Sequence, residues 1–156
     1  IMNRYANTQH HMELQMGQFR YWDSSPVIVI SFRGDVDAEL LQQYFRYNQQ
    51  VLERKQKYLE IFDLSLLGDF PATCRKEFAD YLKTHRPQFE RYYLGAIVVM
   101  ESAIVRGALR AISWLQSYVG EHKYVASREE AIAETKKLLS ANEITWDESQ
   151  PIDWPS

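Results

Sequence analysis

The chain has 156 residues, a length typical of one domain that is large enough to bury an ordinary hydrophobic core. Apolar residues make up 46% of it and charged residues 25%, which are values of globular rather than disordered proteins. The formal net charge of −3 argues against a nucleic-acid-binding surface spread over the whole domain. No apolar run approaches the ~20 residues that a membrane-spanning helix needs.

The single cysteine, Cys74, bears on where the protein works. It cannot form an internal disulfide, which favours a reducing compartment. No signal peptide is recognisable, although the chain opens with Ile1 rather than methionine. We therefore expect a cytoplasmic protein.

The first third of the chain predicts two strands and a helix. Residues 19–22 form a short candidate strand, and the β-branched run at 27–32 is typical of a strand buried on both faces. Apolar residues then recur at helical spacing over residues 37–57. Asp35 and Asp37 are placed to interact with the free amides of the first turn of that helix.

The middle of the chain repeats this alternation. Residues 59–64, LEIFDL, predict the next strand, and Pro71 suits the first position of a second helix. The apolar face of that helix extends to Phe89. Pro87 should break or kink it near its end, because proline lacks an amide and crowds the preceding turn.

A third strand runs almost without a loop into a third helix. The strand is predicted over residues 94–100 and the helix over residues 103–119, followed by a short final strand at 123–126. Ser127 and Glu130 form a capping box, with a serine at the cap and a glutamate three residues later. This pair predicts that a last helix begins there and runs to about residue 141.

These elements divide the chain into three parts. We expect a polar leader over residues 1–18, one domain over residues 19–141 and an acidic tail over residues 142–156. The tail should be mobile or loosely docked through Trp146 and Trp154, and its deletion should leave the melting temperature nearly unchanged.

Alternation of strands and helices predicts a single α/β domain with a mixed, mostly parallel sheet of about five strands packed with about four helices. The strand at residues 19–22 is joined to the next by a tight turn. It should therefore pair antiparallel at an edge of the sheet.

The order of elements resembles a STAS domain, and within that group the SpoIIAA-like branch, which is related in shape to the lipid-binding CRAL-TRIO fold. The resemblance covers roughly residues 19–139 and rests on VIVISFRGDVDAELL, LEIFDLSLLGDF and SAIVRGALRAISWL. It implies a non-enzymatic regulatory or signalling module that binds a protein partner or a second copy of itself. The alternative that it implies is a small-molecule or lipid-binding protein with a CRAL-TRIO-like pocket.

One position departs from the STAS pattern. STAS proteins that antagonise anti-sigma factors carry a D-S-S-G turn with a phosphorylated serine shortly after the third strand. That turn falls here on Pro71-Ala72-Thr73-Cys74, so the aspartate and the glycine are absent. Only Thr73 retains a hydroxyl as a phospho-acceptor position, which argues against a switch of that family's kind.

The third predicted helix carries the candidate binding site. At 100° per residue, Arg106 and Arg110 fall on one narrow stripe, with Gly107 and Trp114 along its border. Two guanidinium groups beside an indole could receive a phosphate, a carboxylate or an acidic partner surface. The alternative is a solvated helix face, since most exposed arginines have no dedicated ligand.

Four carboxylates near strand ends could converge at one edge of the sheet, namely Asp35, Asp37, Asp63 and Glu101. Helix capping accounts for the first two, and a hydrogen-bonded structural role is expected for Asp63. Cys74 lies in the first turn of the second helix, where a thiolate is favoured. It also shares an apolar face there, which favours a buried small hydrophobe.

Other catalytic patterns are missing. The adjacent His10 and His11 do not point the same way on a strand or a helix, so we expect no metal site. The chain contains no GxGxxG, GxxxxGK[ST], CxxC or GxSxG sequence. We therefore expect no cofactor and no enzymatic activity.

The high aromatic content leaves two interpretations open. Aromatic residues make up 13% of the chain, and ten of them are tyrosines. The members that cannot all belong to the core are Tyr44, Phe45, Tyr47, Tyr92, Tyr93, Trp114 and Tyr118. They form either an interface, where Tyr and Trp dominate binding, or a half-buried cover over the sheet edges.

Overall fold

The computed structural model describes residues 17–102, 120–147, 149 and 151–154. The predicted third helix at 103–119 and most of the leader, including His10 and His11, lie outside the described residues. Within them the chain forms a five-stranded sheet whose strand order follows the chain order, β1-β2-β3-β4-β5. The strands are β1 Gln18–Ser24, β2 Val27–Arg33, β3 Tyr58–Asp63, β4 Tyr93–Val99 and β5 Glu121–Val125.

The pairing of these strands confirms the predicted mixed sheet. β1 runs antiparallel to β2 at one edge, and β2, β3, β4 and β5 are parallel to one another. β3 is therefore the central strand, and every one of its six residues is buried. The four described helices are α1 Ala38–Glu53, α2 Ala72–Thr84, α3 Arg86–Tyr92 and α4 Arg128–Ala141.

Two helix boundaries differ from the prediction. α1 ends at Glu53 rather than near residue 57, and Lys55 adopts a left-handed backbone with φ of 56°. The predicted second helix is divided in two, because His85 leaves the helical conformation. Pro87 lies in the first turn of α3, where its missing amide costs nothing, so proline begins a new helix rather than kinking the old one.

The two predicted helix caps are present. The Asp37 carboxylate accepts a hydrogen bond from the Leu40 amide at 2.8 Å. The Ser127 hydroxyl accepts from the Glu130 amide at 3.1 Å. The reciprocal bond of the capping box reaches one residue further back than expected, because Glu130 accepts from the amide of Ala126 rather than from that of Ser127.

The sheet carries a hydrophobic core on each face. Residues of α1, α2 and α3 pack on one face, with Phe19, Ile28 and Phe62 from the strands. α4 covers the other face, where Val29, Ile61 and their neighbours form a second cluster. In the described part of the chain, the helices that come before β4 therefore pack on one face of the sheet, and the helix that follows β5 packs on the other.

The aromatic residues in question belong mostly to the core. Tyr44, Phe45, Tyr47 and Tyr93 are all buried among the residues of the first face. Tyr92 is half-buried and packs against the same cluster. This is a correction of the interface interpretation for these five residues, while Trp114 and Tyr118 lie outside the described residues.

The tail is docked on the second face. Ile144, Trp146, Ile152 and Trp154 are half-buried and pack against the cluster that α4 covers. Docking through the two tryptophans agrees with one predicted arrangement. The extent of this apolar packing means that deleting the tail should not leave stability unchanged.

None of the described helices combines the length and the apolarity that crossing a membrane requires.

Candidate functional site

Two loops meet at the carboxyl edge of the sheet. The loop after β2, residues 34–36, and the loop after β3, residues 64–70, are called the paired loops below. Their backbone hydrogen bonds run from Gly34 N to Leu66 O at 2.9 Å, from Gly68 N to Gly34 O at 2.8 Å and from Val36 N to Asp69 O at 2.8 Å. Such bonds hold two irregular segments as firmly as a short stretch of sheet.

Two glycines allow this close approach. Gly34 has φ of 77°, a left-handed conformation that a side chain disfavours. At Gly68 a Cβ atom would collide with the Asp35 carboxylate and would come within 2.9 Å of the Gly34 backbone. The paired loops therefore approach each other as closely as they do because both positions are glycine.

Leu66 projects from the second of these loops. It is 58% exposed, and no other large hydrophobic side chain in the described part of the chain is classed as exposed. The exposed acidic residues nearby in the two loops and the first turn of α1 are Asp35, Asp37, Glu39 and Asp69. The edge thus presents one exposed apolar side chain among acidic residues, with two arginines in the same region, Arg33 before the first loop and Arg75, which donates to the Phe70 carbonyl oxygen at 2.6 Å.

The predicted carboxylates at this edge have separate partners. The Asp35 carboxylate accepts from the Asp69 amide at 2.8 Å, so it links the paired loops and does not serve the first turn of α1 as predicted. Asp37 caps α1, and Glu101 is exposed. Among the residues that the structure describes, no group of His, Cys, Asp or Glu side chains could hold a metal ion.

Asp63 ends the central strand and has the structural role that its position predicts. Its Oδ1 accepts from the Ser65 amide at 3.1 Å, and its Oδ2 lies 3.0 Å from a guanidinium nitrogen of Arg128. The Arg128 guanidinium also lies 4.9 Å from the centre of the Trp154 ring. One arginine at the start of α4 therefore ties the carboxyl end of β3 to the tail.

Thr73 and Cys74 lie beside the paired loops, at the start of α2. Thr73 is exposed, which leaves its hydroxyl accessible. Cys74 is buried, with its Sγ atom 3.7 Å from the Val36 carbonyl oxygen. Burial raises the pKa of the Cys74 thiol, so the structure favours the buried-hydrophobe interpretation over thiolate chemistry.

The predicted binding stripe of Arg106, Gly107, Arg110 and Trp114 lies outside the described residues. Its relation to the paired loops is therefore a matter for experiment.

A buried carboxyl group was missed by the sequence analysis. Glu60 lies in the middle of β3 on the face covered by α1, and only 1% of the residue is exposed. The Tyr44 hydroxyl lies 3.1 Å and 3.0 Å from the two carboxyl oxygens. Burial raises the pKa of Glu60 to about 7, and hydrogen bonds from Tyr44, Tyr93 and Asn48 offset part of the rise.

The surroundings of Glu60 form a polar network inside an aromatic core. The Asn48 amide donates to the Tyr58 hydroxyl at 3.1 Å, and the Tyr81 hydroxyl donates to the Asn48 side-chain oxygen at 2.6 Å. Gln49 in turn donates to Tyr81 at 2.7 Å. α1, α2 and β3 are therefore joined by side-chain hydrogen bonds as well as by apolar packing.

One signal in the sequence could have found Glu60. The segment LEIFDL reads as a strand, and its chain order places it centrally in a sheet with helices on both faces. Any charged residue in the interior of such a strand must be buried. Because Glu60 and Asp63 lie three positions apart, they point to opposite faces, and each needs its own partners.

Comparisons with known proteins support the fold. The sequence matches no protein-family model and no curated protein. An uncharacterised protein of the DUF3478 family with a SpoIIAA-like fold, from Shewanella loihica, superposes with a TM-score of 0.60 at 12% identity, over 81% of this chain and 98% of that one. An anti-sigma factor antagonist from Mycobacterium paratuberculosis superposes with a TM-score of 0.52 at 14% identity, over 78% and 96% of the two chains.

At such low identity these structures establish the architecture alone. The protein has a SpoIIAA-like fold, as the order of its elements predicted. What it binds has to be argued from its own surface.

Proposed function

We propose that this protein is a non-enzymatic regulatory module that binds a protein partner through the paired loops. The observation that carries the proposal is Leu66, a large apolar side chain that is 58% exposed on a loop fixed by backbone hydrogen bonds. An exposed leucine on a rigid support can enter a pocket of a partner without a loss of loop entropy. Burial of the part that is still exposed would contribute about 1–2 kcal/mol.

The charge around Leu66 narrows the kind of partner. Asp35, Asp37 and Asp69 are exposed beside it. Rim charges chiefly steer the encounter and exclude wrong partners. An apolar pocket bordered by lysine or arginine would therefore fit this edge best.

The fold and the core favour regulation over catalysis. One of the proteins that share the fold is an anti-sigma factor antagonist, whose role is regulatory. The acid and hydroxyl pair of Glu60 and Tyr44 is buried in the core, where a substrate would have to displace α1. The single buried thiol of Cys74 suits a reducing compartment such as the cytoplasm.

Replacing Leu66 with aspartate tests the proposal. We expect Leu66→Asp to abolish the capture of partners from a lysate of the source cell while leaving the circular dichroism spectrum unchanged and lowering the melting temperature only slightly, because most of the side chain is exposed. The matched control is Gln50→Asp, which adds the same charge at an exposed position near the end of α1, away from the paired loops. Captured proteins would be compared by quantitative mass spectrometry.

Two outcomes would count against this surface. Identical sets of captured proteins for the wild type and Leu66→Asp would remove the paired loops from the interface. If Leu66→Asp and Gln50→Asp lose the same captured proteins, the added negative charge, and not the missing leucine, is responsible for the loss of binding.

The predicted arginine stripe is a second part of the proposed surface, carried by sequence alone. If Arg106 and Arg110 bind an anionic group or an acidic partner surface, the double substitution Arg106→Ala, Arg110→Ala should abolish that binding, at about 1.5–3 kcal/mol for each charge-assisted contact. A solvated stripe would change stability by no more than ~0.5 kcal/mol and leave binding intact. Unchanged partner capture by the double variant would contradict the assignment of Arg106, Gly107, Arg110 and Trp114.

Two cavities in the described part of the chain bear on the lipid-pocket alternative. A shallow depression of about 430 Å³ between α4 and the tail is lined largely by polar and charged residues, including Lys136, Ser140 and Glu143. The cavity between β4, β5 and α4 holds about 210 Å³, less than the roughly 300–1,000 Å³ typical of ligand pockets. Its rim carries Glu121, Lys123, Glu134 and Lys137. Such a rim suits solvent better than an acyl chain. Native mass spectrometry of protein purified gently from cells would reveal a retained lipid directly.

A further inference from the structure

Glu60 is the group in the core that the proposed function does not use. It lies on the central strand beneath α1, and only 1% of it is exposed. The Tyr44 hydroxyl lies within hydrogen-bond distance of both carboxyl oxygens, and Tyr93 and Asn48 are neighbours that favour the ionised form; all three side chains are uncharged. Neutral dipoles replace only part of the hydration that a carboxylate has in water, so ionisation at this place is costly.

Neutral groups face Glu60 from the elements around it. β2 and β4 place Ile28 and Ala96 in register with it. His122 of β5 lies on the same face in register with Ala96, roughly 10 Å from Glu60 across two strand spacings, and burial lowers its pKa. The other titratable or polar groups on this side are Tyr44 and Asn48 of α1, Tyr58 of β3, Tyr81 of α2 and Tyr93 of β4, while α3 adds Phe89 against Tyr93.

We infer that Glu60 is a proton-binding site inside the fold, and that loss of its proton loosens α1 from the sheet. α1 supplies the hydroxyl that contacts both carboxyl oxygens, at 3.1 Å and 3.0 Å. Ionisation of Glu60 therefore places a negative charge directly at the contact between α1 and β3. The strands are held to one another by backbone hydrogen bonds, whereas α1 is held by side chains, so a shift of α1 is the easier way for water to reach the charge.

The proton would exchange within the physiological pH range. The pKa of Glu60 rises from 4.5 to about 7 because the group is buried. A folded-state pKa above the unfolded value means that the fold favours the protonated form. Its stabilising contribution is present below about pH 4.5 and is lost as the pH rises through about 7.

The titration of Glu60 can be observed directly in the wild-type chain. Its side-chain carboxyl carbon would be followed by ¹³C NMR from pH 4 to pH 9 and assigned by its absence in Glu60→Gln. We expect a midpoint near 7. Tyr44→Phe should move that midpoint upwards, because it removes a donor that favours the ionised form. A midpoint near that of an exposed glutamate, about 4.3, would overturn the inference.

Hydrogen exchange tests the coupling to α1. The ratio of amide protection in the wild type to that in Glu60→Gln should be constant for α1, Ala38–Glu53, below about pH 4.5 and should fall by up to roughly two hundredfold by pH 8, the change that a pKa shift from 4.5 to about 7 allows. The same ratio should stay constant for those α4 amides, on the opposite face, that exchange by local opening, whereas amides that exchange only by global unfolding follow the stability difference between the two proteins. His122 is present in both proteins, so its titration cancels in the ratio. A constant ratio for α1 across pH 5–8 would overturn the coupling even if Glu60 titrates near 7.

Discussion

Glu60→Gln is expected to gain stability over the wild type as the pH rises from 4 to 8. Glutamine matches the shape of the protonated side chain and cannot ionise, whereas the wild type must bury a carboxylate at pH 8. The pKa of Glu60 rises from 4.5 to about 7 on folding. At about 1.4 kcal/mol for each pH unit, the difference in unfolding free energy between the two proteins should grow by about 3 kcal/mol over that range.

Urea unfolding of both proteins at pH 4, 6 and 8 measures this difference. The relevant quantity is its change with pH, because the exchange of an acid for an amide adds a constant offset. Tyr44→Phe should increase the pH dependence of the wild type, since the carboxylate then loses a hydroxyl donor. Parallel stability curves for the wild type and Glu60→Gln would show that Glu60 does not titrate differently in the folded chain.

Ending the chain at Glu143 is expected to destabilise the fold strongly. The removed segment includes four half-buried apolar side chains that pack on the second face of the sheet, Ile144, Trp146, Ile152 and Trp154. Their partial burial, less the entropy regained by the released segment, amounts to about 3 kcal/mol. For a domain of this size the melting temperature should fall by roughly 10 °C.

Differential scanning calorimetry of a short series would locate this contribution. Trp146→Ala and Trp154→Ala in the full chain should each reproduce part of the fall, and Trp154→Ala also removes the contact with Arg128. Thr145→Ala, an exposed position between packed residues, is the matched control and should have almost no effect. If the truncated chain and the full chain have the same melting temperature, the tail contributes nothing to stability, as the sequence alone predicted.

The order of the elements was predictable because it depends on local patterns. Buried strands, amphipathic helices and the serine and aspartate caps are each encoded within a few neighbouring residues, and Asp37 and Ser127 cap as predicted. The sequence predicted a disturbance of the second helix at Pro87 but not the division into two helices. Proline can either kink a helix or begin the next one, and the non-helical conformation of His85 decides between these outcomes.

The sites were harder to predict because their partners are distant in sequence. Asp63 and Arg128 are 65 positions apart in the sequence. They come into contact only because the start of α4 packs beside the carboxyl end of the central strand. Glu60 finds Tyr44 on a helix that precedes its own strand. The exposure of Leu66 depends on the backbone pairing of two loops, and neither loop shows that pairing by itself.

The strand order has a consequence for how the domain forms. Each of the five described strands pairs with the described strands immediately before and after it in the chain, so none of the five has to insert between two earlier ones. The sheet can therefore grow from the β1–β2 hairpin by addition at one edge, in the order in which a ribosome releases the chain. Among the described elements, α4 and the tail pack on the second face and follow all five strands in the chain, so their contribution to that face is added only after the sheet is complete.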